Sequence, residues 1–297
     1  MYKKYLSIAG AGLLSVLLMS CASIQLQTQL IFRPGADIER IEAACVLSGS
    51  DSRLIAVKNN SSLNANRISL LNWNGYKNQA ESWDKDFTSL TDGQDIILLQ
   101  EALVDDRLYQ LLKNKNLYWN LNAAFYYAGK ETGVLTASKV DAIRTCGIRT
   151  TEPVIRTPKT ALVSVYALNG MATDLMVINI HGINFSLGTG SYKQQIDEVI
   201  RHVKHHHGPV IVAGDFNNWN DARNEIINTM METLTLQSVG YKNHKRITVF
   251  GNVIDHVFYR GLELIEENTV EVTSSDHNPI RVVFRALPEQ FALVEHE

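Results

Sequence analysis

The sequence predicts an α/β fold of two packed mixed β-sheets flanked by helices. Three observations carry this. From Arg67 onward, short runs rich in Val, Ile and Leu recur, and several, such as DIILLQ (95–100) and DLMVINI (174–180), are apolar on nearly every residue. Strands covered on both faces need that pattern. Segments with helical spacing interrupt the runs. The two kinds of element do not alternate strictly, which disfavours a barrel or a simple doubly wound sheet and favours two sheets with helices outside.

The chain starts with a separate unit. MYKKY carries Lys3 and Lys4, LSIAGAGLLSVLLMS follows without a charge, and the stretch exits through LMSCAS. A basic start, an apolar core of this length and small residues at the exit read as a secretory leader over residues 1–20. Cys21, after Leu18-Met19-Ser20, resembles a lipobox cysteine, whose thiol is lipidated; Met19 is unusual in that pattern. Ala22 beside it resembles the sorting rule for the outer membrane of Gram-negative cells. The expectation is a lipid-anchored, periplasm-facing envelope protein, with an inner-membrane anchor or a cytoplasmic chain as the competing readings. Residues 21–65 lack periodicity and read as an irregular tether, and residues 66–297 as one domain. Beyond Cys21 only Cys45 and Cys146 remain, and two leftover cysteines in an oxidising compartment suggest one disulfide.

The strand candidates are 67–73, 95–100, 133–138, 160–168, 174–180, 209–214, 255–260 and 279–284. The helix candidates are 79–90, 104–114, 191–206 and 221–233. In the third helix Ile196, Val199, Ile200 and Val203 fall at i, i+3, i+4 and i+7, one apolar face. With 297 residues, 45% hydrophobic and 20% charged, the chain can bury a sizeable core. A net charge of −3 excludes a basic nucleic-acid coat protein, so a phosphate-bearing partner would have to be met locally.

Polar residues collect at the strand ends. They are Asn72-Trp73-Asn74-Gly75, Gln100-Glu101, Asn179-Ile180-His181-Gly182-Ile183-Asn184, Asp215-Phe216-Asn217, Asp255-His256 and Ser275-Asp276-His277-Asn278. Any one of these is ordinary turn chemistry. VAGDFNNW alone could be a strand, a turn and a helix cap. Six on one chain can instead converge on a single sheet edge, where sites in α/β proteins lie.

LNWNGYK, LLQEAL, NIHGINF, VAGDFNNW, IDHVFYR and SDHNP, in that order over about residues 67–285, resemble the motifs of the endonuclease/exonuclease/phosphatase (DNase I-like) superfamily, and in wording its bacterial YafD-like branch. The resemblance implies a four-layer α/β/β/α sandwich and hydrolysis of phosphoesters with Mg²⁺, or Mn²⁺, as cofactor. It implies that Glu101 is the main cation ligand, with Asn74 and Asp276 at the same site. Asp215 would orient or deprotonate the attacking water, and Asn217 would bond the phosphate. His277 would act as base or stabilise the phosphate, its ring held by Asp255. His181 would protonate the leaving group or bind phosphate; its carboxylate partner is open, with Glu131 and Glu152 as candidates.

Asn184 and Trp219 are either a substrate-facing rim or plain packing. Lys159 and Arg156 read as a solvated turn that could touch phosphate. His205-His206-His207 cannot converge on one ion and reads as a polar helix end, and KNHKR (242–246) as solvated surface. The expected partner is a phosphoester substrate, with nucleic acid favoured and a phospholipid or sugar phosphate as the rival. The lipid anchor would add a membrane, and no protein partner is indicated. A non-catalytic module on the same fold is the reading from another class.

Overall fold

The structure, a computed structural model, describes residues 25–26, 31–33, 39–41, 45 and 61–288. The leader and Cys21 lie outside the described residues. In chain order the strands are β1 (Gln25–Leu26), β2 (Ile31–Arg33), β3 (Glu39–Ile41), β4 (Ile68–Asn74), β5 (Ile96–Leu103), β6 (Tyr118–Tyr127), β7 (Lys130–Ser138), β8 (Arg144–Thr151) and β9 (Pro158–Tyr166). There follow β10 (Leu175–His181), β11 (Val210–Asp215), β12 (Gln237–Ser238), β13 (Thr248–Val249), β14 (Asn252–Val253), β15 (Asp255–Arg260), β16 (Leu262–Thr269) and β17 (Ile280–Ala286). The helices are α1 (Trp83–Leu90), α2 (Asp106–Asn114), α3 (Gly190–Lys204) and α4 (Asp221–Leu234).

One sheet runs β16-β17-β4-β5-β7-β6-β2-β3, with β1 also on β6, and the other runs β12-β15-β11-β10-β9-β8. Both are mixed: β4 and β5 are parallel, as are β10 and β11, while the remaining pairs of long strands are antiparallel. Period-two alternation builds the layers. Leu70, Ile96 and Leu98 point between the sheets and meet Val177, Ile211 and Ala213. Their neighbours Leu71, Ile97 and Leu99 point the other way, onto Trp83, Phe87, Leu108 and Leu112 of α1 and α2. On the far side Ile178, Ile180, Val210 and Val212 pack on Ile196, Val199, Val203, Ile227 and Met230 of α3 and α4. The result is the expected α/β/β/α sandwich.

The inter-sheet layer is crossed by a polar seam. Gln100 Nε2 donates to Asn72 Oδ1 at 2.9 Å and to Asn179 Oδ1 at 2.7 Å, and Asn179 Nδ2 donates to Leu135 O at 2.9 Å. Further along, Asn122 Nδ2 on β6 donates to Ile148 O and Ala161 O of the second sheet at 3.0 and 2.8 Å.

Several boundaries differ from the sequence reading. Strands β6, β8 and β16 are additional. β6 (YWNLNAAFYY) hides its pattern because Asn120 and Asn122 are buried. β8 and β16 are edge strands rich in Arg, Thr and Glu, as edges often are. The segment expected to be an irregular tether contributes β1, β2 and β3 to the large sheet. The first helix starts at Trp83 rather than 79, and Tyr76, Lys77 and Asn78 before it form a separate short turn with left-handed backbone angles.

Cys45 and Cys146 are joined in a disulfide, with Cα atoms 4.9 Å apart, which pins residue 45 to the edge strand β8. The bond closes a loop of 101 residues, and constraining so long a loop in the unfolded chain is stabilising. Cys45→Ser should therefore lower unfolding stability by about 2–4 kcal/mol. Urea melts of the two proteins without reductant check this; coincident midpoints would show that the bond adds nothing.

Candidate active site

Strand register brings the polar strand ends together. On the smaller sheet His181 of β10 lies directly beside Asp215 of β11, and Asp215 lies opposite Asp255 of β15. Gly214 makes that close approach feasible: a Cβ there would sit 1.9 Å from Ile180 O. From the larger sheet, Asn74 at the end of β4 donates from Nδ2 to Asp215 Oδ2 at 3.1 Å. Glu101 occupies a β-bulge between Leu99 and Ala102, with a left-handed φ of 52°. A bulge re-aims one side chain out of the pleat, and here it turns Glu101 toward His181 Nε2, 3.9 Å away. His277 sits on the loop before β17, which is fastened to β4: Trp73 Nε1 donates to His277 O at 3.0 Å and Ser275 Oγ to Asn74 O at 2.7 Å.

Two opposed carboxylates would repel each other, and the imidazole of His277 resolves this. Its Nδ1 bonds Asp255 Oδ2 at 2.8 Å and its Nε2 lies 3.9 Å from Asp215 Oδ2. Burial alone would lower its pKa, but the charge and hydrogen bond of Asp255, then Asp215 and Asp276, raise it to about 10. The ring is thus a held imidazolium. Burial raises the pKa of Asp215 above the ordinary carboxylate value, against the opposing pull of His277 and His181.

On the other flank Lys159 Nζ lies 2.7 Å from His181 Nε2. Lysine can only donate, so Nε2 accepts and the ring proton is on Nδ1. Burial, then Lys159, lower the pKa of His181 to about 4, so the ring is neutral at neutral pH. Lys77 Nζ bonds Glu101 Oε2. Burial would raise the pKa of Glu101, but His181, Lys77 and Lys159 bring it down to about 2.

The structure brings Asn74, Glu101, His181, Asp215, Asn217, Asp255 and His277 together. The backbone turns at Asn217 (φ 50°) instead of continuing extended, and the side chain is placed by donating from Nδ2 to Gly182 O at 3.1 Å. Asp276 is exposed, with Oδ1 3.5 Å from Ser275 Oγ, so it acts on the group through the charge it sets beside His277. Glu152 is no partner of His181. Its Oε1 accepts from Asn184 N and Phe185 N at 2.6 and 2.5 Å, and Glu131 accepts from the Tyr126 hydroxyl at 3.1 Å. Asn184 and Trp219 bond one another, Trp219 Nε1 donating to Asn184 Oδ1 at 3.0 Å, which is the packing alternative.

Two residues with parts in the arrangement, Lys77 and Arg223, were given no role by sequence, and two more, Lys159 and Arg246, were read as solvated surface. Lys159 is in the site rather than in a solvated turn, whereas Arg156 is indeed exposed. Lys77 was legible only as the lysine of WNGYK. Arg246 of KNHKR donates to Asp255 O at 3.2 Å. Arg223 is buried: its Nη1 donates to Ile183 O and Asn217 O at 2.6 and 2.7 Å, and its Nη2 to Asn184 O and Ser186 Oγ, both at 2.9 Å. Its position in the first turn of α4, where the helix dipole disfavours a cation, was the signal available.

The donor set suits a hard divalent ion, which takes oxygen ligands. Asp215 and Asp255 face each other across one strand pair, Glu101 approaches His181 from the other sheet, and Asp255 Oδ1 is buried without a hydrogen-bond partner. One ligand atom each from Asp215, Asp255 and His277 lie within 4.8 Å of one another. The carboxylates and the Asn74 amide offer oxygens, and His277 offers a ring nitrogen beside them.

A four-layer sandwich with acid, amide and imidazole groups converging from both sheets defines the class of two-sheet phosphoester hydrolases. Comparison makes this specific: residues 61–277 match the model of the Endonuclease/Exonuclease/phosphatase family, and the chain belongs to that family. A UPF0294 protein of Photorhabdus laumondii is 36% identical over 219 residues, covering 74% of this chain and 84% of that one. A UPF0294 protein of Vibrio cholerae is 36% identical over 221 residues, covering 74% and 78%. Among solved structures, the human Nocturnin catalytic domain with a bound sulfate anion superposes with a TM-score of 0.57 at 16% identity, covering 75% of this chain and 95% of that one.

The His277–Asp255 pair predicts a pH dependence. The folded pKa of about 10 lies above the ordinary 6.5, so the pair's stabilisation is complete below about pH 6.5 and drains away as pH rises toward 10. Urea unfolding between pH 6 and 10 should show stability falling for the wild type and a flatter profile for Asp255→Asn. Parallel profiles would mean that His277 is not held protonated by Asp255.

Proposed function

We propose that the protein is a divalent-cation-dependent phosphodiesterase that hydrolyses nucleic acid by attack of water. The observation that carries this reading is the placement of Asp215 between two imidazoles, His277 at 3.9 Å and His181 at 3.6 Å, the second of which is bonded in turn to Lys159. A phosphorus shielded by anionic oxygens needs its charge neutralised, a water deprotonated and a leaving oxygen supplied with a proton. Asp215, its carboxyl made more basic by burial, accepts the proton of the attacking water. His277 Nε2, beyond hydrogen-bond distance of Asp215, offers its proton to a phosphoryl oxygen. Asn74 and Asn217 orient the carboxylate and the phosphoryl group. Lys159, positioned by His181, donates to the leaving oxygen. Glu101 and Asn74 would hold Mg²⁺ or Mn²⁺, which when bound supplies Lewis-acid charge neutralisation.

Nucleic acid is favoured by the half-exposed Phe185 and the exposed Phe250, whose neighbour Trp219 meets it edge-on at 5.9 Å between ring centroids. Exposed aromatic faces suit stacked bases. The sulfate held by the Nocturnin domain, of the same fold, is a tetrahedral oxyanion like phosphate. The disulfide fits an oxidising compartment, which supports the reading of residues 1–20 as a leader and of Cys21 as the lipidated residue of an envelope-facing protein.

Incubation of the protein with Mg²⁺ or Mn²⁺ and single- and double-stranded DNA, RNA, phospholipids and sugar phosphates should show nucleic acid cleaved fastest. Asp215→Asn and His277→Ala should each reduce that rate by about 10³-fold while the thermal melt stays cooperative. Hydrolysis of lipid or sugar phosphate alone would move the substrate class, and no hydrolysis at all would remove the enzymatic reading. Separately, radiolabelled palmitate should enter cells' wild-type protein and not Cys21→Ser; equal labelling of both would end the lipoprotein assignment.

A further inference from the structure

We propose that Lys77 is the resident counter-ion of Glu101, which a divalent cation displaces, and that the displaced ammonium then becomes a phosphate-binding group, so that cation and anion binding reinforce each other. This rests on the phosphoesterase reading, in which Glu101 is a cation ligand. The contact is direct, Lys77 Nζ on Glu101 Oε2, with both side chains about one-fifth exposed (20% and 22%).

The backbone is arranged for that contact. Tyr76, Lys77 and Asn78 have φ of 48°, 56° and 57°, three consecutive non-glycine residues in the left-handed region. Each such residue carries a cost and persists only where the surroundings over-determine it. Here they do: Gly75 N donates to Gln100 O at 2.9 Å, Tyr76 N to Asn74 Oδ1 at 3.2 Å, and Asn78 Nδ2 to Leu103 O at 2.7 Å. All of these anchors lie on β4 and β5, the strands that carry Asn74 and Glu101. The turn therefore holds Lys77 at a fixed station against the carboxylate.

Lys77 also lines a small pocket of about 40 Å³ with Glu101, Thr132, Lys159, Thr160 and His181. Its ammonium lies 5.6 and 5.9 Å from the ring centroids of Tyr76 and Tyr127, contacts that keep the stem in place when the carboxylate is given up. As the structure stands, Glu101 neutralises one of the two lysines of the pocket. A divalent ion and the ammonium compete for the same carboxylate oxygen. When the ion takes Glu101, Lys77 and Lys159 face one pocket without that counter-charge, and an anionic phosphoryl group relieves the excess. Coupling of this kind is reciprocal, so phosphate tightens the cation as the cation tightens phosphate.

The test reads cation binding without turnover. The full chain is titrated with Mn²⁺, followed by loss of the free-ion electron paramagnetic resonance signal, with and without inorganic phosphate. Removing the competing ammonium in Lys77→Met should lower the Mn²⁺ dissociation constant about three- to tenfold. Phosphate should tighten Mn²⁺ several-fold in the wild type and not in Lys77→Met. Lys77→Arg, which keeps the cation, should bind Mn²⁺ like the wild type, and Lys77→Gln replaces Lys77→Met if the latter lacks a cooperative melt. Equal or weaker Mn²⁺ affinity in the neutral variant, coupling to phosphate that survives it, or no Mn²⁺ binding by any form would overturn the proposal. Should the Mn²⁺ pattern hold while no ester is hydrolysed, the phosphoesterase reading falls and the role of Lys77 stands.

Discussion

Everything at the site depends on how one sheet is set against the other. Asn74, Glu101 and His277 come from the larger sheet or a loop fastened to it; His181, Asp215 and Asp255 come from the smaller one. Apolar packing between sheets is weakly directional and would tolerate a slide that misaligns the two halves. The Asn72–Gln100–Asn179 seam does not tolerate it. Its amides are buried, and a slipped register would leave them unpaired at a cost of roughly 1–3 kcal/mol per group. Gln100 is the residue before Glu101, and Asn179 stands two before His181, so the link that fixes the register lies against the groups it aligns.

That alignment concentrates charge in a dry place, and the site is organised around neutralising it. Asp215 and Asp255 are opposed across a strand pair, a pairing that would be unfavourable without His277 between them. Glu101 depends in the same way on Lys77. The strained backbone follows from these demands: Glu101 and Asn217 are both left-handed, and both are where a strand must turn a side chain out of its own pleat toward a group on another strand. Strain at these positions is offset by burial elsewhere in the sandwich.

Much of this was legible in the sequence, for identifiable reasons. The strands ending in Asn74, Glu101, His181 and Asp215 are apolar on both faces and announce themselves, and their polar ends stand out because little else is polar there. Strands β6, β8 and β16 did not announce themselves, since buried asparagines in one and edge charges in the others erase the pattern. The site residues that were missed or read as solvated surface are cations. Lys159, Lys77, Arg246 and Arg223 look like surface charge in a one-dimensional reading, because nothing in their spacing records the carboxylate, carbonyl or imidazole they meet across the fold. Glu152 erred in the opposite direction: an acid near the site was a candidate partner for His181, but it satisfies two loop amides.

Arg223 shows why the two halves of the site differ in character. Its guanidinium has no carboxylate partner among its hydrogen bonds; it is held by three carbonyls and a hydroxyl, and lies 4.7 and 4.5 Å from the ring centroids of Tyr192 and Trp219. Those carbonyls belong to the segment after His181 and the segment after Asp215, so one side chain binds both loops into a single unit. With the Glu152 carboxylate on the Asn184 and Phe185 amides, the smaller sheet presents His181 and Asp215 from a support that cannot open locally without breaking these buried hydrogen bonds. The larger sheet presents Glu101 and Lys77 from a bulge and a tight turn, joined by an ion pair that a competing ion can replace. In the proposed reaction, rigid placement suits groups that transfer protons, for which small displacements are costly. If the proposed exchange of Lys77 for a cation holds, an exchangeable pair on one sheet and a fixed group on the other let each task be met without compromising the other.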